Sequence, residues 1–380
     1  MSRPSTGPKI FWAGPKVLCQ TKNGFTYCAS PKLFVVPVQK MISIKEIQFL
    51  CWPKIFELAQ NILGPARRTR HKLATASPQK ISTLSLDDVP DEVILRVFNN
   101  LEIKDLIRCG HVSRRIRAIS QDKSLWLKIN LYAKRFVATG FLEYVLKNGC
   151  KYLGLGFARI DGENMTCNAS QLKHLDLSFC QSTYQVFHEL LSSCHSLKKL
   201  ALDSQCHIML STDLVKTMCH QFGATLQVLD VSNCYKPYME IMNLEKILLM
   251  IDSFSQLKEV YFNYTYLSEE SLDYICNNLS ENIVKLGLRN QDNLRDEHIT
   301  ALVNRCNKLT SLDLENCSSI GNISATNIIE FLKPSLEELV IRRTAIGHAK
   351  FLELQEMPKL RDLICYQPSN KKLIKSCFLT

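Results

Sequence analysis

The 380-residue chain has no uncharged apolar run approaching the roughly 18 residues that a membrane-spanning helix needs. Its opening residues, MSRPSTGPKIFWAGPKVLC, lack the apolar centre of a secretory leader. The expected location is therefore inside the cell, in the nucleus and/or cytoplasm. There structural disulfides are disfavoured, and a sequon such as Asn263-Tyr-Thr carries no glycan. Sixteen cysteines are present, yet no two stand as C-x-x-C, which leaves a zinc ribbon or a thioredoxin-like motif without support. His188-Glu189 lacks the second histidine of H-E-x-x-H, and Gly154-x-Gly156 lacks the third glycine of a dinucleotide fingerprint. Neither an enzyme, a cofactor nor a metal is expected. Acidic residues are scarce only at the start. Residues 1–83 hold 2 Asp/Glu against 13 Lys/Arg, and from chain totals of 36 and 47 the remainder holds 34 of each. The net charge of +11 thus belongs to a tail, where Ala66–Lys72 (ARRTRHK) reads as a nuclear address, a nonspecific electrostatic arm or a solvated linker. Specific nucleic-acid binding is not expected.

What the chain does have is a repeat. The template L-x-x-L-x-L, with other apolar residues substituting, starts at Leu172, Leu197, Leu226, Leu257, Ile283, Leu309, Leu336 and Leu360, with a weaker copy at Cys150. Successive copies lie 22, 25, 29, 31, 26, 26, 27 and 24 residues apart, close to the roughly 20–29-residue period of leucine-rich repeats. Between strand motifs, series such as Leu272/Ile275/Cys276/Leu279 and Ile299/Leu302/Val303/Cys306 place one apolar stripe on a helix. Neither a strand nor a helix of this kind buries its apolar face alone, so neighbours must stack. The fold class is α/β: a curved solenoid with a parallel sheet inside and helices outside.

Ahead of the repeats, Leu86–Leu131 reads as three short helices with a broad apolar stripe at Val93, Ile94, Val97, Phe98 and Leu101. Some forty residues make a small core, so this stripe should pack on a partner or on the solenoid. Val89-Pro90-Asp91-Glu92, the paired apolars to Phe98, the Leu106–Val112 helix and Ser124-Leu125-Trp126 resemble an F-box. Followed directly by leucine-rich repeats, it resembles the F-box/leucine-rich-repeat family, in the S-phase kinase-associated branch; Ile116 departs from the tryptophan usual in the third helix there. The resemblance implies a substrate receptor of SCF-type ubiquitin ligases. Its F-box would dock the Skp adaptor, and through it the cullin and RING subunits, while the repeats hold the protein to be ubiquitinated. The alternative is a repeat scaffold not assembled into a ligase. Carried over by position, the adaptor-facing set is Leu86, Pro90, Ile94, Leu95, Phe98, Leu101, Leu106, Val112 and Trp126, some of which instead form the module's own core. The implied boundaries are 1–83 (basic, poorly ordered), 84–131 (F-box), 132–368 (about nine repeats) and 369–380 (tail).

Strand alternation turns the residues between the motif leucines toward the concave face. Tyr261 and Tyr264 offer aromatic area there, Arg289, Arg342 and Arg343 offer cations for an acidic or phosphorylated target, and Asp313 and Glu315 also face a possible target, unless they pair with the arginines. Cys180, Cys234 and Cys317 each fall eight positions after their repeat's first residue, where a small hydrogen-bonding side chain must meet the turn backbone. At the C-terminus, Cys377-Phe-Leu-Thr resembles C-a-a-X, but its Phe and Thr depart from the pattern, so no membrane attachment is expected.

Overall fold

The computed structural model describes residues 19–21, 24–26, 89–204, 210–234 and 242–365. Leu86, the tail 369–380 with Cys377, and most of 1–83 lie outside the described residues. Two short strands in the N-terminal segment, β1 (Cys19–Thr21) and β2 (Gly24–Thr26), pair antiparallel.

The F-box stretch forms α1 (Asp91–Phe98), α2 (Ile103–Cys109) and α3 (Arg114–Ser120), closed by a 3-10 turn at Lys123–Trp126. Pro90 holds the extended backbone from which α1 starts, and Asp91 and Glu92 in its first turn match the positive end of the helix dipole. The Ser113 hydroxyl accepts from the Ile116 N–H at 3.2 Å and caps α3. Arg115 reaches from α3 to Asp91 Oδ1 at 2.9 Å, which ties the third helix to the start of the first.

Among the described residues, ten parallel strands follow in one sheet, in simple sequential order, from β3 (Lys128–Asn130) to β14 (Asp362–Ile364). A two-residue pair, β4 (Val137–Ala138) with β6 (Ile160–Asp161), sits apart from it. The remaining sheet strands are β5 (Tyr152–Gly154), β7 (His174–Asp176), β8 (Lys199–Ala201), β9 (Val228–Asp230), β10 (Glu259–Tyr261), β11 (Lys285–Gly287), β12 (Ser311–Asp313) and β13 (Glu338–Val340). In every pair the central motif residues align, for example Leu286 with Leu312 and Leu312 with Leu339. The motif leucines stack into one continuous core from which water is excluded.

The sheet begins earlier than the sequence boundary suggests. Ile129 pairs with Leu153, so Trp126, Ile129 and Leu131 occupy the three motif positions of a further copy inside the stretch assigned to the F-box. One repeat also differs in its outer layer. Between β5 and β7 the described chain has no helix; residues 162–171 cross as a loop. Its backbone N–H groups are satisfied by carboxylates of the flanking helices, Met165 by Glu189 at 2.5 Å and Thr166 by Glu143 at 2.8 Å.

After each described strand from β3 to β13, apart from the short β4–β6 pair, one residue turns the chain with φ between 53° and 61°: Ala133, Phe157, Phe179, Ser204, Asn233, Tyr264, Asn290, Asn316 and Arg343. Each stands seven positions after its repeat's first residue. Asparagine tolerates this left-handed conformation; bulky side chains take it at a cost.

Candidate adaptor and target surfaces

The expected adaptor face divides in two. Ile94, Phe98, Leu106 and Trp126 are only 2–3% exposed, so they form the module's interior rather than a surface for a partner. Three helices this short need those side chains to make any core at all. Pro90 is exposed and Leu95, Leu101 and Val112 are half-buried, which leaves them accessible. Trp126 is the joint of the molecule. Its indole N–H donates to the Ser120 carbonyl at 3.0 Å, and its ring meets Tyr144 edge-on at 5.1 Å and Phe141 at 6.5 Å. Tyr144 and Phe141 lie on α4 (Thr139–Lys147), the first repeat helix, so one side chain fastens the F-box to the solenoid.

At the strand exits the recurrent phrase LDLENC has a local explanation. Asp176, Asp230 and Asp313 each accept from the N–H two residues on, at 2.9, 2.9 and 3.0 Å, and Asn130 does the same at 3.0 Å. These side chains shape the turn. The cysteine then satisfies a carbonyl of the preceding repeat: Cys317 Sγ lies 3.1 Å from Leu288 O, and Cys234 Sγ 3.5 Å from Leu202 O. Where cysteine is absent, Gln291 Nε2 donates to Phe262 O at 2.7 Å and the Thr265 hydroxyl donates to the same oxygen at 2.6 Å. Burial pushes the thiols of Cys180 and Cys317 up to about 12, which makes them inert at neutral pH. Cys180, Cys234 and Cys317 take part in no disulfide.

The expected cation patch is internally neutralised. Arg289 contacts Asp313 Oδ2 at 2.6 Å and Glu315 Oε2 at 3.0 Å. Arg342 Nη2 donates to Glu315 Oε2 at 3.2 Å, with Nε 3.1 Å from Oε1. Two arginines and two carboxylates thus alternate across three repeats. Burial works against the Arg289 charge, but Asp313, Glu315 and Tyr264 outweigh it and its pKa is raised. An anionic target would have to displace these carboxylates, so Arg289, Asp313 and Arg342 make a structural ladder rather than an open receptor. Arg343 is exposed on its left-handed turn. Tyr261 lies over Gly287, where a Cβ would come within 2.9 Å of its ring, and its hydroxyl donates to Glu259 at 3.2 Å.

Residues 140–373, more than half of the chain, match the family model described as SKP2 LRR domain. The chain belongs to this SKP2-type leucine-rich-repeat family. Residues 86–132 match the F-box-like model, so the F-box assignment also stands. F-box only protein 15 of Bos taurus is 33% identical over 69 residues, which is 17% of this chain and 15% of that protein. Among solved structures, the Rad7–Elc1 complex of yeast aligns at a TM-score of 0.43 and 15% identity, over 74% of this chain and 91% of that one. An internalin C2 of Listeria monocytogenes aligns at 0.36 and 12% identity, over 64% and 84%.

In this SKP2-type chain the sequence reading missed Ile107, which is 41% exposed on α2 beside buried Leu106. With Leu101 and Ile103 it lines a groove of about 570 Å³ that Phe136 and Phe141 complete from the first repeat. Helical spacing carries the signal: Ile103 and Ile107 are four apart and so neighbours on one face of α2.

Proposed function

We propose that this chain is the substrate-recognition subunit of an SCF-type E3 ubiquitin ligase. The F-box docks the Skp adaptor, which links it to the cullin and RING subunits, and the repeats hold a protein target for ubiquitination and proteasomal degradation. In this reading the chain has no catalytic step of its own and works in the nucleus and/or cytoplasm. One observation carries the proposal: Trp126 locks the F-box onto a repeat sheet, while Pro90, Leu95, Leu101, Ile107 and Val112 keep apolar surface accessible. A rigid joint between an adaptor module and a target-binding sheet is what presenting a target at a fixed position requires. Co-expression of the full chain with the Skp adaptor tests this. Stoichiometric co-purification is expected, with loss on Leu101→Asp plus Ile107→Asp in a protein that keeps its circular dichroism. A folded wild-type chain that retains no adaptor would overturn the ligase reading in favour of the scaffold.

A further inference from the structure

The first half of the concave face has two lips of different chemistry. Along the strand exits, Tyr132, Phe157 and Phe179 remain 56%, 43% and 39% exposed. The Phe157 and Phe179 rings stack at 4.4 Å with an interplanar angle of 9°, and Tyr132 meets Phe157 edge-on at 5.4 Å. Gly156 makes room for Tyr132, since a Cβ there would lie 3.1 Å from its ring. Along the strand entries stand Lys128, Lys198 and Lys199, all exposed, with Lys173 half-buried. Among the described residues these four lysines form no ion pair. The imidazole of His174 between them has its pKa lowered by burial and then by Lys199, Lys173 and Lys198, a sign of the positive potential there. Between the lips runs a concavity of about 660 Å³, lined among others by Lys128, Tyr132, Tyr152, His174 and Lys199.

The aromatic lip runs against local preference. Phe157 and Phe179 occupy the left-handed turn position that Asn233, Asn290 and Asn316 fill elsewhere. The turn therefore forms with asparagine, and phenylalanine opposes it while exposing apolar area to water. Bulky residues held in a strained turn with their rings still open to water mark candidate functional positions. Stacked exposed aromatics are also the residues that dominate binding energy at interfaces.

We propose that this half of the concave face, from β3 to β8, docks a carboxylate-rich segment of a partner protein: its acids face Lys128, Lys198 and Lys199, and an aromatic or long aliphatic side chain packs on the Phe157–Phe179 stack. The inference deepens the proposed function and rests on the reading that the repeats hold the target. Charge selects the occupant. Asp176 and Asp230 line the concavity between the lips, so a uniformly anionic nucleic-acid backbone meets repulsion where a peptide can place neutral residues. The site is separate from the Arg289–Arg342 ladder, whose charges are already matched.

A random peptide library displayed on phage, selected against the immobilised full chain, tests the proposal. Enriched peptides are expected to combine several Asp or Glu with a Phe, Trp or Leu. Their affinity should fall at least tenfold on Phe157→Asn plus Phe179→Asn, and at least tenfold on Lys198→Glu plus Lys199→Glu. Both variants should keep the wild-type melting temperature or exceed it, because asparagine suits the turn and the lysines are solvated. No enrichment, peptides without acids, or unchanged affinity for either variant would overturn the proposal, as would tighter binding of oligothymidine than of the selected peptides. Because the adaptor is absent from this assay, its result stands apart from that of the adaptor co-purification.

Discussion

Replacing Trp126 should uncouple the F-box from the repeats. The side chain is 2% exposed, contacts two aromatic rings of the first repeat helix and supplies the indole donor to Ser120 O. Truncating a buried tryptophan to alanine costs about 3–5 kcal/mol in transfer and cavity terms. Trp126→Phe keeps much of the ring but leaves the Ser120 carbonyl without its indole donor, for about 1–3 kcal/mol. Hydrogen exchange on the full chain reads the difference segment by segment. Amides of α1 to α3 open locally, so Trp126→Ala should speed their exchange by roughly two to four orders of magnitude, at about 1.4 kcal/mol per tenfold. Amides of β11 and β12 should be unaffected, because each repeat contacts only its neighbours. Unchanged protection in α1 to α3 of the alanine variant would refute the assignment of Trp126 as the joint.

Cys317→Val should destabilise by about 1–3 kcal/mol by orphaning Leu288 O, whereas Cys317→Ser keeps a donor and should cost less; urea denaturation monitored on the C-terminal repeats distinguishes them. The same thiols set a pH dependence. Burial raises the Cys180 and Cys317 pKa from an ordinary 9.0 to about 12, so their contribution is full below pH 9 and is lost as the unfolded chain ionises above it. Stability should fall between about pH 9 and 11 by roughly 1 kcal/mol per thiol per pH unit, and this slope should flatten in Cys180→Ala plus Cys317→Ala; an identical slope would count against it. A double-mutant cycle of Arg289→Ala and Asp313→Ala should return a coupling of about 1 kcal/mol, reduced by salt, since both side chains keep partial solvent access.

The repeat was legible because its signal is local and multiplied: each LxxLxL places three side chains inward whatever its neighbours do, and the core leucines fall where alternation puts them. The turn role of Cys317 was legible for the same reason, its position being fixed within one unit. The F-box helices were likewise readable from stripes such as Ile94, Val97 and Phe98. Which members of a stripe face a partner was not. Ile94 and Leu101 look alike in sequence, and only the packing of three helices separates the buried side chain from the accessible one.

The site divides along the same line. Sequence alternation put Arg289, Asp313, Glu315 and Arg342 on the concave face, but whether they meet each other depends on the sheet register. That register brings residues 24–27 positions apart within 2.6–3.2 Å and turns an apparent cation patch into a neutral ladder. Trp126 is the sharpest instance: it reads as the end of one motif and also stands first in the next. By itself the sequence determined the repeat, its period, its core and the chemistry of its turns, because those depend on intervals within one unit. Only the tertiary structure decided which exposed residues have partners, because pairing depends on distances between units that share no local pattern.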